Sequence, residues 1–273
     1  MSPRPLLLLT LAGVFTTTVS VRAQFGGLGR LGDLDISKAV DTAKSVGKTA
    51  KGVAGIGPEE ERRIGESVAL EIVGHYGGLV RDEAIAQRVN LIGQALAYYS
   101  PRPALDWKFG VLASPSVNGF SAPSGYVFIT RGLYDLVATS DDALAAVLAH
   151  EIAHITERHA LKIIARGEFL SGATDLAVQQ SGDAAEVQAK LAQFDTGIGD
   201  LVKVLLEKGF DPQTEYTADK VGRDLAVTVG YAPGALRQIL VQLQQRKADP
   251  QKTFSTHPPL ADRIKKLPAD PAP

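Results

Sequence analysis

The sequence predicts a mostly helical α+β domain with a small β-sheet. From residue 58 onward most segments repeat their apolar residues at helical spacing, and prolines, glycines or acidic caps mark their ends. Between residues 107 and 130 the apolar residues instead recur at every second position in places, which indicates strands. The chain has 273 residues, of which 45% are apolar, and this is enough for one well-cored domain or at most two small ones.

Three helices are predicted before the first strand. Residues 24–57, rich in Gly, Lys, Ala and Ser, are predicted to form a flexible leader with one weak amphipathic helix. The domain follows at residues 58–268, with a tail at 269–273. Pro58 begins a helix that runs to about His75, and a second helix spans about 82–99.

The strands and the remaining helices follow in order. Strands are predicted at 107–111 and 126–130, with a loop at 114–124 between them. A long helix capped by Ser140 runs to just before Gly167, and a Gly-rich helical excursion follows at 168–200. Further helices are predicted at 200–208, 212–230, 233–247 and 259–264.

Charge and composition exclude several classes of function. The net charge is −1 and 6% of residues are aromatic, so we expect no nucleic-acid partner and no attraction to an anionic membrane surface. The chain has no cysteine, which excludes disulfides, thiolate ligands, cysteine nucleophiles and lipid attachment at an N-terminal cysteine. Any transition-metal site must therefore use His, Asp and Glu.

The first residues are typical of a secretory signal peptide. Arg4 precedes an uncharged run from Pro5 to Val21, and Val21-Arg22-Ala23 predicts cleavage after Ala23. The alternative is a retained membrane anchor, although the run is short for a span and its second half contains three threonines and a serine. We predict removal, which gives an extracytoplasmic, periplasmic protein with no stable membrane span.

The long helix carries the motif His150-Glu151-Ile152-Ala153-His154. Two histidines four residues apart lie on one helix face, so both imidazoles can reach one Zn²⁺, with Glu151 beside them as a general base. From Ala143 to Ile155 the other residues are apolar, which predicts a buried helix. Buried polar groups need compensation, by a bound cation or alternatively by a hydrogen-bond network.

A catalytic zinc site needs a third protein ligand. Glu215 and Asp219 lie four residues apart on a later helix, with Ala218 and Gly222 on their face allowing a close helix approach. Glu215 is our candidate ligand, and Asp219 a carboxylate that accepts the other N–H of a zinc histidine. On spacing alone, an exposed acidic pair with Asp219 bridging to Arg223 is an equal alternative.

These motifs, in this order, resemble the zinc metallopeptidase family of HtpX-like proteases and CAAX prenyl endopeptidases, in its soluble periplasmic branch. The resemblance covers about residues 58–264. It implies a gluzincin-like domain holding one Zn²⁺ per chain, with Glu215 as the third ligand. The residues that carry it are Asn118-Gly119-Phe120-Ser121, Gly125 to Thr130, His150 to His154 with Arg158-His159, Glu215 with Ala218-Asp219, and His257-Pro258 with Arg263.

The sequence also departs from the family pattern. Gly119 and Ser121 stand where the family usually has alanines, and Thr217 where an acidic residue is frequent. We expect no membrane span within the catalytic domain and no C-terminal helical-repeat module after Arg263.

The function predicted is zinc-dependent endopeptidase activity on extracytoplasmic, misfolded or envelope proteins, in protein quality control. Zinc would lower the pKa of a water and polarise the scissile carbonyl, and Glu151 would move the proton to the leaving amine. Tyr126, Val127 and Phe128 are the candidate substrate strand, taken as a sheet edge that binds an extended peptide. The alternative for these three residues is ordinary sheet core.

His257 has three interpretations. The resemblance implies a histidine near the metal, which either stabilises an oxyanion or latches the open zinc position. A latch would act together with the Gly-rich segment 167–199 as a lid. The third interpretation is that His257 merely starts the last helix. Arg158 and His159 are expected to tie the catalytic helix to its neighbours, and His75 to be structural.

Two other functions compete with proteolysis. The stronger is a zinc-containing chaperone or assembly factor of the cell envelope, with the envelope-protein assembly machinery as candidate partner. Glu151 favours the enzyme, because binding alone does not require it. A structural zinc domain is weaker, because such sites usually close with four protein ligands, often cysteines.

Overall fold

The computed structural model describes residues 56–165, 201–246, 256–257 and 259–269. The predicted signal peptide, nearly all of the leader and the Gly-rich segment 168–200 lie outside these residues. Within them, no helix combines the length and the apolar character needed to cross a membrane.

The first two helices lie where the sequence predicts them. Helix α1 (Pro58–His75) begins at its proline with three glutamates in its first turn, where they complement the helix dipole. Gly77 and Gly78 follow it with φ of 79° and 90°, a backbone region that favours glycine. Helix α2 (Glu83–Tyr98) is capped by Asp82, whose side chain accepts from the N–H of Ile85.

Three strands form one sheet in the order β1-β3-β2. Strand β1 (Lys108–Leu112) pairs parallel to β3 (Tyr126–Thr130), and β2 (Gly119–Ala122) pairs antiparallel to β3. The prediction of a loop throughout 114–124 is therefore wrong at β2. The prediction that β3 is an edge strand is also wrong, because its backbone is paired on both sides.

The two outer strands of the sheet are not equally accessible. The N–H of Val80 donates to the carbonyl of Val111, and Leu79 bridges to Leu112, so part of the outer side of β1 is covered. No strand pairs with the outer side of β2 among the described residues. This free edge of β2 faces the functional site described below.

The predicted long helix is two helices joined by a tight turn. After the short helix α3 (Arg131–Val137), which the sequence analysis missed, α4 (Asp141–Thr156) begins at Ser140, whose hydroxyl accepts from the N–H of Ala143. Helix α5 (His159–Ala165) follows after Arg158, which has a φ of 55°. This left-handed residue ends α4 and redirects the chain.

The described residues after 200 are mostly helical, as predicted for these stretches. A π-helical turn (Val204–Lys208) precedes α6 (Pro212–Val229), which is capped by Asp211 and ends at Gly230 with a φ of 109°. Helices α7 (Ala235–Gln245) and α8 (Leu260–Lys266) complete the described fold.

Helix α4 lies at the centre of the fold. Every residue from Leu144 to Ile155 is buried, as the apolar run predicts. Two apolar clusters use opposite faces of the sheet: Val111 and Val127 point into the cluster around α4 and α7, while Leu112 and Phe128 point into the cluster around α1 and α5. Helix α4 is thus packed against neighbouring elements on several sides.

Candidate metal centre

Helix α4 supplies three polar side chains to a buried centre. The Nε2 atoms of His150 and His154 lie 3.1 Å apart, which follows from their one-turn spacing. Glu151 lies beside them, and each of the three residues is at most 2% exposed. Polar groups buried to this degree need partners, and they turn towards one another and towards α6.

Helix α6 brings Glu215 to the histidine pair. Its two carboxylate oxygens lie 3.6 Å from Nε2 of His150 and 3.6 Å from Nε2 of His154. The helices approach closely because Gly222 has no side chain: a β-carbon there would lie 2.8 Å from the Cα of His150. The predicted small residues on this face therefore do allow the close contact.

The fourth group is His257, which precedes α8. Its Nδ1 lies 3.0 and 3.1 Å from the two oxygens of Glu215, and its Nε2 lies 3.2 Å from the carbonyl oxygen of Gly119. One donor atom from each of His150, His154, Glu215 and His257 lies within 4.8 Å of the others. Three imidazoles and a carboxylate at this spacing fit a divalent metal ion.

Asp219 and Arg263 lie behind these groups. Oδ1 of Asp219 lies 3.0 Å from Nδ1 of His150, the ring nitrogen that faces away from the centre. Arg263 donates to both oxygens of Asp219, at 2.8 Å from Nε and 2.7 Å from Nη2. Asp219 is 2% exposed, so the alternative of an exposed acidic pair is wrong.

The charges of the site are strongly coupled. Burial raises the pKa of Glu215, but the nearby His257 and Arg263 outweigh it and hold that pKa below its ordinary value. Burial lowers the pKa of His257, yet the carboxylate of Glu215 raises it to about 9. The negative charge of this pocket can therefore be balanced in two ways, by a protonated His257 or by a divalent metal ion.

Glu151 has the environment of a proton acceptor. Burial raises its pKa, with opposing effects from His257 and His150. Neither carboxylate oxygen makes a hydrogen bond of good geometry within the described residues, although Ser121 lies close enough to lower the pKa. A buried carboxylate of this kind is suited to bind a water and take its proton.

The structure adds residues that the sequence analysis did not assign to the site. Phe210 stacks on the ring of His154, with centroids 4.4 Å apart. Asn118 and Thr256 exchange side-chain hydrogen bonds at 3.1 and 3.2 Å, which holds the backbone next to His257. The Asn118 motif was a signal for this contact, but nothing in the sequence pointed to Phe210.

The predicted substrate strand does not border the centre. Val127 and Phe128 are buried in the two apolar clusters, and Tyr126 is half-buried at the start of β3. Strand β2 lies beside the candidate metal ligands instead. A small pocket runs along it, with a lining that includes Gly119, Ser121, Glu151, Phe210 and His257.

A histidine pair one helical turn apart, a glutamate between the two histidines, a buried carboxylate from a second helix and a neighbouring strand edge form the kind of arrangement found in metallopeptidases. The chain belongs to peptidase family M48, whose profile matches residues 83–270. The expected resemblance is confirmed at the level of this family, whose members are metal-dependent.

Two kinds of relative are similar to this chain. The mitochondrial metalloendopeptidase OMA1 of Schizosaccharomyces pombe is 27% identical over 212 residues, covering 76% of this chain and 60% of the relative. The beta-barrel assembly-enhancing protease of Escherichia coli is 23% identical over 228 residues, covering 81% of this chain and 45% of the relative. The chain thus spans about half the length of these relatives.

Proposed function

We propose that this chain is a zinc-dependent endopeptidase that hydrolyses extracytoplasmic, misfolded or envelope proteins, in the soluble periplasmic branch of its family. One observation carries the proposal. The buried groups of His150, His154 and Glu215 converge within 4.8 Å, and the carboxylate of Glu151 lies beside them without a well-formed hydrogen bond in the described structure.

The ligand set supports zinc as the metal. His150, His154 and Glu215 would hold the ion, since two imidazoles and one carboxylate are a recurrent set in catalytic zinc sites. When bound, zinc supplies Lewis acidity, which lowers the pKa of a water and polarises a peptide carbonyl. Zinc content should therefore fall in Glu215→Ala, and retention of full zinc there would point to Asp219 instead.

Glu151 would serve as general base and then as general acid. Its carboxylate takes a proton from the attacking water and returns it to the amine that leaves. Burial favours the protonated form of Glu151 after the first transfer, because it raises the pKa of this carboxyl. Such a group typically contributes about 10²–10⁴ in rate.

The outer edge of β2 would bind the substrate backbone, the role first predicted for β3. The N–H of Thr130 in β3 bonds the carbonyl of Asn118, so the alternation of an antiparallel pair turns the backbone groups of Gly119 and Ser121 away from β3. The contact from His257 to the carbonyl of Gly119 agrees with this direction. An extended peptide could pair with these groups.

His257 would have one of two roles at this edge. It contacts both Glu215 and the carbonyl of Gly119, so it could latch the site in the absence of substrate. In the other role it would stabilise negative charge on the substrate oxygen. Higher activity of His257→Ala at equal zinc content would indicate a latch, a fall of about tenfold or more would indicate the second role, and equal activity would exclude both.

The proposed substrate and location are supported by the signal peptide predicted at residues 1–23 and by the names of the relatives. One relative is named as a protease that enhances beta-barrel assembly and another as a mitochondrial metalloendopeptidase. We favour the periplasm and polypeptides of the cell envelope, with the envelope-protein assembly machinery as a partner. The rival is a zinc-containing chaperone with little proteolysis, which has no need of Glu151.

The decisive experiment is zinc analysis together with digestion of casein, an unfolded substrate, by the parent and Glu151→Gln. We expect one zinc in both, with the rate of Glu151→Gln lower by about 10²–10⁴. Glu157→Gln is the matched control, because Glu157 caps the same helix with a side chain 35% exposed. If the zinc-loaded parent digests casein no faster than background, the chaperone is favoured; equal rates above background would remove Glu151 from its proposed role.

A further inference from the structure

We propose that His159 positions His154 for metal binding by holding the ring nitrogen that faces away from the metal. The inference rests on the proposed zinc function and extends it to a residue outside the ligand set. His154 turns Nε2 towards the centre, where it lies 3.1 Å from Nε2 of His150. Its other ring nitrogen, Nδ1, lies 3.0 Å from Nδ1 of His159.

Metal binding decides which of these two Nδ1 atoms donates. A histidine that binds a metal through Nε2 carries its proton on Nδ1, so His154 donates and His159 accepts. The bond thereby fixes both the tautomer and the rotation of the His154 ring. Asp219 lies in the corresponding place for His150, with 3.0 Å between its Oδ1 and the Nδ1 of that ring. The two metal histidines are thus held from outside by different groups, a carboxylate and an imidazole.

The chain path to His159 is unusual. In a continuous helix, a residue five positions after His154 would lie about 140° around the axis, too far to face the same ring. Here α4 ends at Thr156, and Arg158 adopts a φ of 55° before α5 begins at His159. This left-handed residue turns the chain back, so that the imidazole of His159 reaches His154.

The turn is anchored from α1. Nη2 of Arg158 lies 3.1 Å from Oε2 of Glu61 and 3.1 Å from the carbonyl oxygen of Ile56. Glu61 is 2% exposed and is held in turn by Arg102, which donates to both of its oxygens at 2.7 and 2.9 Å. Ion pairs around the buried Glu61 therefore fix the turn that presents His159.

The remaining face of the His154 ring is also restrained. Phe210 stacks on it with an interplanar angle of 17°. Stacking limits tilting of the ring but does not select a tautomer. The hydrogen bond that His154 donates to His159 supplies that selection, so its loss should weaken metal binding even in a well-packed site.

The test compares three substitutions in the full chain. His159→Phe keeps an aromatic ring but removes both nitrogens, whereas His159→Asn keeps a polar side-chain group near the position of Nδ1. His75→Phe is the matched control, because His75 is exposed at the end of α1. Zinc affinity is measured by competition with a chelator, the Co²⁺-loaded protein is compared by visible absorption, and folding is checked by near-ultraviolet circular dichroism.

We expect His159→Phe to bind zinc about 10–100-fold more weakly than the parent, with an altered Co²⁺ spectrum, and His159→Asn to recover most of the affinity. His75→Phe should match the parent. A folded His159→Phe with the parent's affinity, or an equal loss in the Phe and Asn variants, would overturn the inference. If His159→Phe does not fold, His159→Ala replaces it. A parent that binds no zinc would instead remove the proposed function itself.

Discussion

Arg263 is a buried cation that contacts two of the buried carboxylates, Asp219 and Glu215. Its side chain is 0% exposed and donates to both oxygens of Asp219 and to the carbonyl of His257, at 2.9 Å. Its Nη1 also lies 3.2 Å from Oε2 of Glu215. Replacement by methionine, which has a similar length, removes the charge and leaves both carboxylates without this partner.

Removing one member of a buried ion pair typically costs about 3–5 kcal/mol, because the other charge stays buried. That is a large part of the total stability of a domain, about 5–15 kcal/mol. For a domain of about 200 residues, each kcal/mol shifts the unfolding temperature by about 2–4 °C. We therefore expect Arg263→Met to lower the unfolding temperature of the metal-free protein by about 6–20 °C.

The assay is thermal unfolding followed by circular dichroism at neutral pH, with a chelator present. The matched control is Arg62→Met, because Arg62 pairs with Glu59 and Glu66 on the surface and its side chain is 50% exposed. Surface pairs contribute little, so we expect only a small shift there. If Arg263→Met shifts the unfolding temperature no more than this control, the argument from buried charge is wrong.

Three further predictions use the same measurement. Gly222→Val should lower stability by about 1–3 kcal/mol, since a β-carbon would lie 2.8 Å from the Cα of His150, and an unchanged unfolding temperature would contradict the close helix contact. Burial raises the pKa of Glu61, but Arg102 and Arg158 hold this pKa below its ordinary value of 4.5. The ionised carboxylate therefore stabilises the fold above pH 4.5, and this stabilisation is lost as the pH falls through the folded-state pKa. Between pH 6 and pH 3 the parent should thus lose more stability than Glu61→Gln, and parallel losses would count against this. In the third prediction, the free energy of unfolding should be about 4 kcal/mol lower without metal than in free zinc at 1,000 times its Kd. An unfolding temperature that a chelator does not change would argue against a bound ion.

Local signals in the sequence predicted most of the fold. Helix α6 begins at Pro212 and ends before Gly230 because capping and chain reversal depend on residues near the ends themselves. The same reasoning correctly bounded α1 and β3. Each of these boundaries is decided within a few residues.

The errors arose where distant contacts decide the structure. Strand β2 has only four residues, Gly119–Ala122, and Pro123 follows it directly, so its local pattern resembles a loop. Pairing with β3 makes it a strand. The order of strands in a sheet is likewise not encoded locally, so β3 was taken for an edge. The turn at Arg158 has neither glycine nor proline, and its contact with Glu61, 97 positions earlier, gave no sequence signal.

In the candidate site, too, local spacing predicted some of the contacts, and contacts between distant residues were harder to predict. The spacing of His150 and His154 brings their Nε2 atoms together within one helix. The choice of Glu215 needed the family resemblance, because nothing local distinguishes it from an exposed glutamate. His159 was assigned to helix contacts, since five-residue spacing gave no reason to place it against His154.

The burial of the four converging groups has a kinetic consequence. His150, His154, Glu215 and His257 are each at most 3% exposed, so a chelator cannot reach an ion among them directly. Release of the ion would wait for the polypeptide to open, most simply by displacement of the backbone around His257. The rate of metal loss would then level off as the chelator concentration rises, and the plateau would measure how often this protein opens its own active site.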